Sequence, residues 1–164
     1  MPILSSHDVD FLSRSPEQTR RLGIRLGALL KPGDVVCLSG DLGAGKTTFV
    51  QGVAKGWGSL DPVSSPTFVL VNQYRQPDGK QMHHLDAYRI ESVPEAEDLD
   101  IDALFMNGPL VVEWSERIAA ALPPEYLQID FSWVADEQRR ILFSPHGERY
   151  VKLLEDFRRL AFGG

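Results

Sequence analysis

The sequence predicts an α/β domain in which helices flank a single mixed β-sheet. Short apolar segments typical of buried strands alternate along the chain with segments that have the spacing of amphipathic helices. Turn-rich sequences join some neighbouring strand-like segments, which indicates hairpins and hence antiparallel strands in the sheet. No repeat or linker divides the 164 residues, so we expect one domain over residues 1–164.

The first predicted helix begins after Ser15. Serine can cap a helix, the proline that follows suits the first turn, and Gln18 occupies the reciprocal capping position. Leucines then recur at near-helical spacing until Lys31-Pro32-Gly33, where we expect the helix to end. Residues 34–39 are almost continuously apolar, as in a strand buried on both faces of a sheet.

The rest of the chain continues the alternation of strands and helices. In chain order we predict a helix at about 46–57, strands at 67–75 and 81–89, two short helices within 91–106, a strand at 110–112 leading into Glu113-Trp114, a helix at 115–122, strands at 127–133 and 140–144, and a helix at 148–162.

A glycine-rich segment joins the predicted strand 34–39 to the helix after it and matches the pattern G-x-x-x-x-G-K-[ST]. Glycines let successive backbone N–H groups point at phosphate oxygens, and the helix N-terminus favours the same anion. The context of strand, loop and helix therefore predicts a P-loop NTPase fold that binds the phosphates of a nucleoside triphosphate together with Mg²⁺. The predicted nucleotide-binding residues are Gly40, Asp41, Leu42, Gly43, Ala44, Gly45, Lys46, Thr47 and Thr48.

Within this segment, Lys46 is expected to bridge the β- and γ-phosphates and the Thr47 hydroxyl to ligate Mg²⁺. The metal commonly takes a second ligand from an acid at the end of a buried strand. Glu113 follows such a strand, and Asp86 lies on another strand, where it shares a face with His84. The residues alone leave open which acid contacts the metal and which orients water.

Other polar residues have weaker signals. Thr67 lies in a connection that could sense the γ-phosphate, or it is simply a polar entry to a strand. Arg89 and Arg117 could supply charge in the transition state or form ordinary ion pairs. The pair His83-His84 does not suit a metal, because adjacent residues of a strand point to opposite faces.

Composition excludes several classes of function. The net charge of -6 argues against independent binding of nucleic acid. The N-terminus lacks the pattern of a secretory signal, and no apolar run is long enough to cross a bilayer, so we expect a cytoplasmic protein without a membrane contact. The single cysteine, Cys37, fits a small buried apolar side chain.

Four segments, taken together and in order, resemble one family. They are residues 38–49 (LSGDLGAGKTTF), 63–68 (VSSPTF), 84–89 (HLDAYR) and 111–117 (VVEWSER). The chain is similar over nearly its whole length to TsaE, the bacterial ATPase family of tRNA threonylcarbamoyladenosine biosynthesis.

The resemblance implies a P-loop ATPase that acts with a complex of two other proteins, TsaD and TsaB, in N6-threonylcarbamoylation of tRNA adenosine 37. ATP hydrolysis would reset that assembly between turnovers, and tRNA would be engaged only through the complex. The resemblance also implies that the domain binds ATP or ADP with Mg²⁺. Carried over, Lys46 and Thr47 are the phosphate and Mg²⁺ residues, and Glu113 is the second metal-associated acid. Asp86 is a candidate for orienting water, and Thr67 is a candidate for the nucleotide-sensing loop.

The family's adenine pocket is not carried over; the start of the first helix and the turn at 134–138 are its candidate contributors. Ser115 departs from the proline frequent in the family at this place and lies outside the expected metal shell.

Three alternatives share the phosphate-binding loop. A small-molecule kinase would also need an acceptor pocket and an arginine-bearing lid, and neither is evident. A regulatory GTPase would carry N-K-x-D and D-x-x-G sequences, which the chain lacks. A non-catalytic scaffold that binds nucleotide without hydrolysis is the third alternative.

Overall fold

The structure is a computed structural model that describes residues 7–40, 45–61, 71–87 and 101–162. Its strands are β1 (Val9–Ser13), β2 (Val35–Ser39), β3 (Val71–Arg75), β4 (Gln81–Asp86), β5 (Leu110–Glu113), β6 (Tyr126–Ala135) and β7 (Gln138–His146). Its helices are α1 (Pro16–Gly27), α2 (Lys46–Trp57), α3 (Ile101–Leu104) and α4 (Glu148–Phe162), with a 3₁₀ helix at Ser115–Ala121. Within these ranges, none of the helices has the length and apolarity needed to span a membrane.

The strands form one mixed sheet in the order β1-β7-β6-β2-β5-β4-β3. The four central strands, β6, β2, β5 and β4, run parallel to one another. β7 and β1 extend the sheet antiparallel on one side, and β3 pairs antiparallel with β4 on the other. The predicted mixed α/β sheet is therefore confirmed, and the carboxyl ends of β2, β4 and β5 meet at one edge.

Two apolar clusters cover the two faces of the sheet. The larger cluster packs α1, α2 and α4 on one face, which we call the helical face; it includes Val36 and Leu38 of β2 and Phe49 of α2. The smaller cluster lies on the opposite face and contains Cys37 together with Ile118 of the 3₁₀ helix. Successive residues of β2 thus alternate between two buried cores, which explains its almost continuous apolar sequence.

Helix α1 is fixed at its start by capping and along its length by contact with α2. The Ser15 hydroxyl accepts a hydrogen bond from the Gln18 backbone N–H at 3.2 Å, as predicted, while the Gln18 side chain accepts one from the Arg14 N–H at 2.7 Å. Glycines then bring the two helix backbones together. A Cβ at Gly27 would overlap the Val53 carbonyl oxygen, and one at Gly52 would overlap that of Arg20.

Most predicted elements are confirmed, and the differences have physical reasons. Strand β1 was not predicted; its short edge sequence shows no clear alternation, and pairing with β7 creates it. The predicted end of α1 at Lys31 is wrong, since the helix ends at Gly27 and its last turn tightens through a bond from the Leu29 N–H to the Leu26 carbonyl. Residues 62–70 and 88–100, and the predictions made for them, lie outside the described residues.

Two further predictions need correction. The helix predicted at 115–122 is a 3₁₀ helix over Ser115–Ala121, broken at Ile118, where φ is -130°. Trp133 continues the alternate spacing of Leu127, Ile129 and Phe131 in its predicted strand, which indicates a buried side chain, but it is 63% exposed. Side chains from residue 132 to the end of β6 are all exposed, so this part of the strand extends beyond the core.

Candidate functional site: a phosphate-binding loop beside two acids

The predicted phosphate-binding segment begins at the carboxyl end of β2 and ends at the first turn of α2. Gly40 has φ +140° and Gly45 has φ +100°, both in the region that favours glycine. A Cβ at Gly40 would also lie 2.6 Å from the Phe131 carbonyl oxygen, so a larger residue does not fit. Asp41, Leu42, Gly43 and Ala44 lie outside the described residues.

Lys46 is the first residue of α2, and its side chain turns back over the loop. The residue is only 5% exposed, and its Nζ donates a hydrogen bond to the Gly40 carbonyl at 2.6 Å. The ammonium also lies 4.4 Å from the ring centroid of Trp114, a distance suited to a cation–π interaction. Thr47 and Thr48 follow in the same turn and are half-buried.

The two acids proposed from sequence lie side by side at the same edge of the sheet. Asp86 is paired with Glu113 between the parallel strands β4 and β5, and Glu113 is paired in turn with Leu38 of β2. Paired residues on adjacent strands are roughly 5 Å apart and point to the same face. Since Leu38 belongs to the core of the helical face, both acids point toward the face that α2 covers.

Glu113 is held by a histidine whose role was missed from sequence. The carboxylate is 7% exposed, and its Oε2 lies 2.7 Å from His84 Nε2. The other ring nitrogen, His84 Nδ1, lies 3.2 Å from the Tyr74 hydroxyl. One signal was available: His84 and Asp86 share a strand face, which places the histidine toward the same site.

His83 points away from this site, as the alternation of a strand requires. Its Nδ1 lies 2.9 Å from the carbonyl of Leu104, a residue that packs on the opposite face. Burial lowers the pKa of His83, despite the opposing effect of that hydrogen bond. The geometry therefore excludes a metal site between the two histidines.

Two elements named as candidate contributors to a base pocket lie against the loop. A Cβ built on Gly45 would be 3.7 Å from Arg139 Cγ and 3.8 Å from Thr19 Cγ2. Thr19 lies in α1, where its hydroxyl is 2.6 Å from that of Ser13. Arg139 follows the turn near 134–138 and donates a hydrogen bond to the Asp136 carbonyl at 2.6 Å. The start of α1 and the start of β7 thus border the loop together.

Some candidates cannot be placed. Thr67 and Arg89 lie outside the described residues, as does the side chain of Arg117. Trp114 lies beside Lys46 and also packs against the core of the opposite face, with a left-handed backbone at φ 60°.

A cavity of about 620 Å³ opens on the opposite face of the sheet. Its lining includes Cys37, Ser39, Ser115 and Gln128 but neither Lys46 nor the two acids. Burial raises the pKa of the Cys37 thiol to about 12, so this cysteine stays a neutral thiol. The described part of its lining therefore lies on the other side of the sheet from Asp86 and Glu113.

Comparisons with known proteins identify the family of the chain. Residues 13–141 match the family model "Threonylcarbamoyl adenosine biosynthesis protein TsaE". A Bacillus subtilis relative named tRNA threonylcarbamoyladenosine biosynthesis protein TsaE is 44% identical over 147 residues, which cover 88% of this chain and 90% of the relative. A Streptomyces coelicolor relative of the same name is 41% identical over 138 residues, covering 80% and 93% respectively.

Among solved structures, the crystal structure of Bacillus subtilis YdiB is similar, with a TM-score of 0.77 and 35% sequence identity. The match covers 93% of this chain and 95% of that one.

Proposed function

This chain belongs to the TsaE family of tRNA threonylcarbamoyladenosine biosynthesis proteins, and we propose on that premise that it is a Mg²⁺-dependent ATPase. It acts with a TsaD–TsaB complex in the N6-threonylcarbamoylation of tRNA adenosine 37, and hydrolysis allows that complex to turn over repeatedly. tRNA is engaged through the complex, in keeping with the net charge of -6. The site of action is the cytoplasm.

The observation that carries the proposal is the meeting of three features at one sheet edge. The register of β4, β5 and β2 sets Asp86 and Glu113 beside the strand that leads into the loop. Lys46 begins the helix that follows the loop and lies against Trp114, the residue after Glu113. A cationic side chain, a helix N-terminus and two acids are the groups that phosphoryl transfer requires.

The donor set fits Mg²⁺ better than a transition metal. In the part of the chain that the structure describes, no group of three or more His, Cys, Asp or Glu side chains is arranged to hold a metal ion. Mg²⁺ does not need such a cage, because it is commonly bound by one or two protein oxygens together with phosphates and water. Thr47 and Glu113 are the residues that would hold it, and the ion would neutralise charge on the β- and γ-phosphates.

Lys46 and Asp86 have separate roles in the proposed hydrolysis. Lys46 exchanges the Gly40 carbonyl for phosphate oxygens, so its charge stabilises the transferred group. Asp86, next to Glu113 in register, orients the attacking water. The sequence carries no unambiguous arginine finger, so we expect slow hydrolysis by the chain alone and faster hydrolysis when the partner complex completes the site.

The nucleotide site is tested by replacing Lys46. Removing a charge-assisted contact to phosphate costs roughly 1.5–3 kcal/mol, so Lys46→Ala should weaken ADP binding about 10- to 100-fold. Calorimetric titration of ADP with Mg²⁺ measures this. The matched control is Lys55→Ala at the other end of α2, an exposed position that should bind as the wild type does. Equal affinity in all three proteins would disprove the site.

The pathway role is tested by reconstituting tRNA modification with TsaD and TsaB. We expect modified tRNA to exceed the amount of complex only when this chain and ATP are both present, and Lys46→Ala to stop the reaction after one turnover. Multiple turnover without the chain would contradict the proposed role. Multiple turnover supported by the chain without any ATP hydrolysis would favour the non-catalytic scaffold instead.

A further inference from the structure

We infer that His84 is a positioning residue for Glu113, and that Tyr74 fixes the ring of His84 for that purpose. The inference rests on the proposed function, because it takes Glu113 to be the acid that serves Mg²⁺. It concerns only side chains that the structure describes. We call the set Tyr74, His84 and Glu113 the relay.

The relay is a chain of two buried hydrogen bonds that crosses three strands. Tyr74 on β3 is 3% exposed and His84 on β4 is 1% exposed. The Tyr74 hydroxyl lies 3.2 Å from His84 Nδ1, and His84 Nε2 lies 2.7 Å from Glu113 Oε2 on β5. Both ring nitrogens therefore have partners, so the imidazole can neither flip nor rotate without losing a buried hydrogen bond.

The donor and the acceptor of each hydrogen bond follow from the chemistry of the two groups that it joins. An ionised carboxylate only accepts hydrogen bonds, so His84 Nε2 carries the proton shared with Glu113. In a neutral ring Nδ1 then accepts, and the Tyr74 hydroxyl donates to it. Burial raises the pKa of Tyr74, which keeps the hydroxyl protonated and able to donate. The side chain of Asn72 is a further hydrogen-bond partner of Tyr74.

The relay determines how the carboxyl group of Glu113 is oriented. A glutamate side chain has three rotatable bonds, and the last of them is loosely defined when nothing holds the carboxyl group. The bond from His84 engages Oε2 and so fixes that group at the edge of the sheet beside Asp86. Partners of this kind around a metal-binding group commonly change metal affinity or activity 10- to 100-fold when they are removed.

The decisive experiment measures Mg²⁺ binding and nucleotide binding separately. ADP binding is titrated calorimetrically in EDTA, and Mg²⁺ binding is then titrated at saturating ADP. For His84→Leu we expect apparent Mg²⁺ affinity to fall about 10-fold while ADP affinity in EDTA stays within about twofold of wild type. Tyr74→Phe, which removes only the hydroxyl, should lower Mg²⁺ affinity about threefold, by loosening the ring.

Two variants serve as controls. In His84→Gln the amide nitrogen occupies the same position along the side chain as Nε2 and can donate to Glu113, so Mg²⁺ affinity should recover to within about threefold of wild type. His83→Gln changes the neighbouring histidine on the other face and should leave Mg²⁺ affinity unchanged. Thermal unfolding of each variant shows whether it is folded at the temperature of the titration.

A spectroscopic measurement tests the relay in the wild-type protein without nucleotide or metal. At pH 8, ¹⁵N-edited spectra of the histidine rings should show His84 with its proton on Nε2, and Tyr74→Phe should shift the Nδ1 resonance. A ring of His84 without a proton on Nε2 would overturn the relay, because it could not donate to Glu113. So would an equal loss of ADP affinity with and without Mg²⁺ in His84→Leu, since that is the mark of a purely structural role. If the wild type itself binds no nucleotide, the proposed function fails instead, and with it the link to Mg²⁺.

Discussion

Two buried acids lie at opposite ends of the sheet, and different partners compensate the cost of burying each carboxylate. Asp34 precedes β2 at the end remote from the loop, and Glu113 ends β5 beside the loop. Both belong to the few buried charged residues, with 3% and 7% exposure. A buried carboxylate is costly unless hydrogen bonds or an opposite charge compensate it, so the partners of each acid indicate what it is for.

Asp34 is compensated by a guanidinium. Arg149 of α4 donates to both of its oxygens, at 2.9 Å from Nε and 2.7 Å from Nη2, and the Lys31 backbone N–H donates at 2.7 Å. The paired carboxylate in turn raises the pKa of Arg149. Such a bidentate pair is specific and saturated, and it joins α4 to the start of β2.

The buried carboxylate of Glu113 has fewer compensating partners among the described residues than that of Asp34. Within the described residues its close polar partner is His84, and no lysine or arginine nitrogen there lies within 4 Å of its carboxylate. The comparison shows that a guanidinium neutralises Asp34, whereas among the described side chains a histidine, and no lysine or arginine, contacts the carboxylate of Glu113. A carboxylate that keeps its charge at the edge of a phosphate site is suited to a divalent cation.

The largest expected effect comes from removing the charge of Glu113. Glu113→Gln keeps the shape and can still accept from His84, so we expect ATP hydrolysis to fall about 100-fold or more, while the free energy of unfolding changes by less than about 1 kcal/mol. Steady-state ATPase assays and urea unfolding measure the two quantities. Loss of stability with retained hydrolysis would reverse the roles assigned to the two acids.

A smaller effect is expected at Asp34, on stability and not on hydrolysis. Asp34→Asn weakens the pair with Arg149, which is partly exposed, so we expect unfolding to become easier by about 2 kcal/mol. ATP hydrolysis below the unfolding temperature should stay within about twofold of wild type. A decrease in hydrolysis as large as that of Glu113→Gln would show that the two ends of the sheet are coupled. It would contradict the separate roles assigned to the two acids.

The smallest effect is expected at an exposed acid, Asp10 of β1. Arg140 donates to both of its oxygens, at 2.9 and 2.7 Å, and this lowers the pKa of Asp10. A pKa lowered in the folded state stabilises the protein above the ordinary aspartate value of about 4 and loses that contribution as pH falls toward the folded-state value.

Asp10→Asn should therefore melt slightly below wild type at pH 7, with a difference of about 1 °C or less, and the difference should vanish at low pH. Melting curves between pH 2 and 7 test this. A difference that grows as the solution is acidified would contradict the direction of the pKa shift.

Local chemistry was sufficient to predict the parts of the site that are close in sequence. The cap at Ser15, the helix beginning at Lys46 and the strand before the loop each follow from neighbouring residues, and each is confirmed. The approach of Asp86 to Glu113 could be expected in outline, because Glu113 follows one predicted strand and Asp86 lies on another. Their direct pairing depends on β4 lying next to β5, a tertiary fact that no local pattern specifies.

The relay is a second example of contacts that local sequence patterns do not specify. Tyr74, His84 and Glu113 come from three strands, and 29 positions separate His84 from Glu113. The sequence showed which face His84 occupies but not which side chains share that face. Strand β1 was missed for a related reason, since its partner β7 is more than 100 positions away and its own five residues carry little pattern.

The contact between α1 and α2 has a consequence for any motion linked to nucleotide exchange. Helices separated by a layer of side chains can slide when those side chains change rotamer, but at Gly27 and Gly52 the two backbones touch and offer no such layer. We therefore expect the pair to translate and rotate as one unit, with Thr19 and Lys46, one on each helix, at a constant separation. Any rearrangement coupled to nucleotide binding would then fall to segments outside this pair.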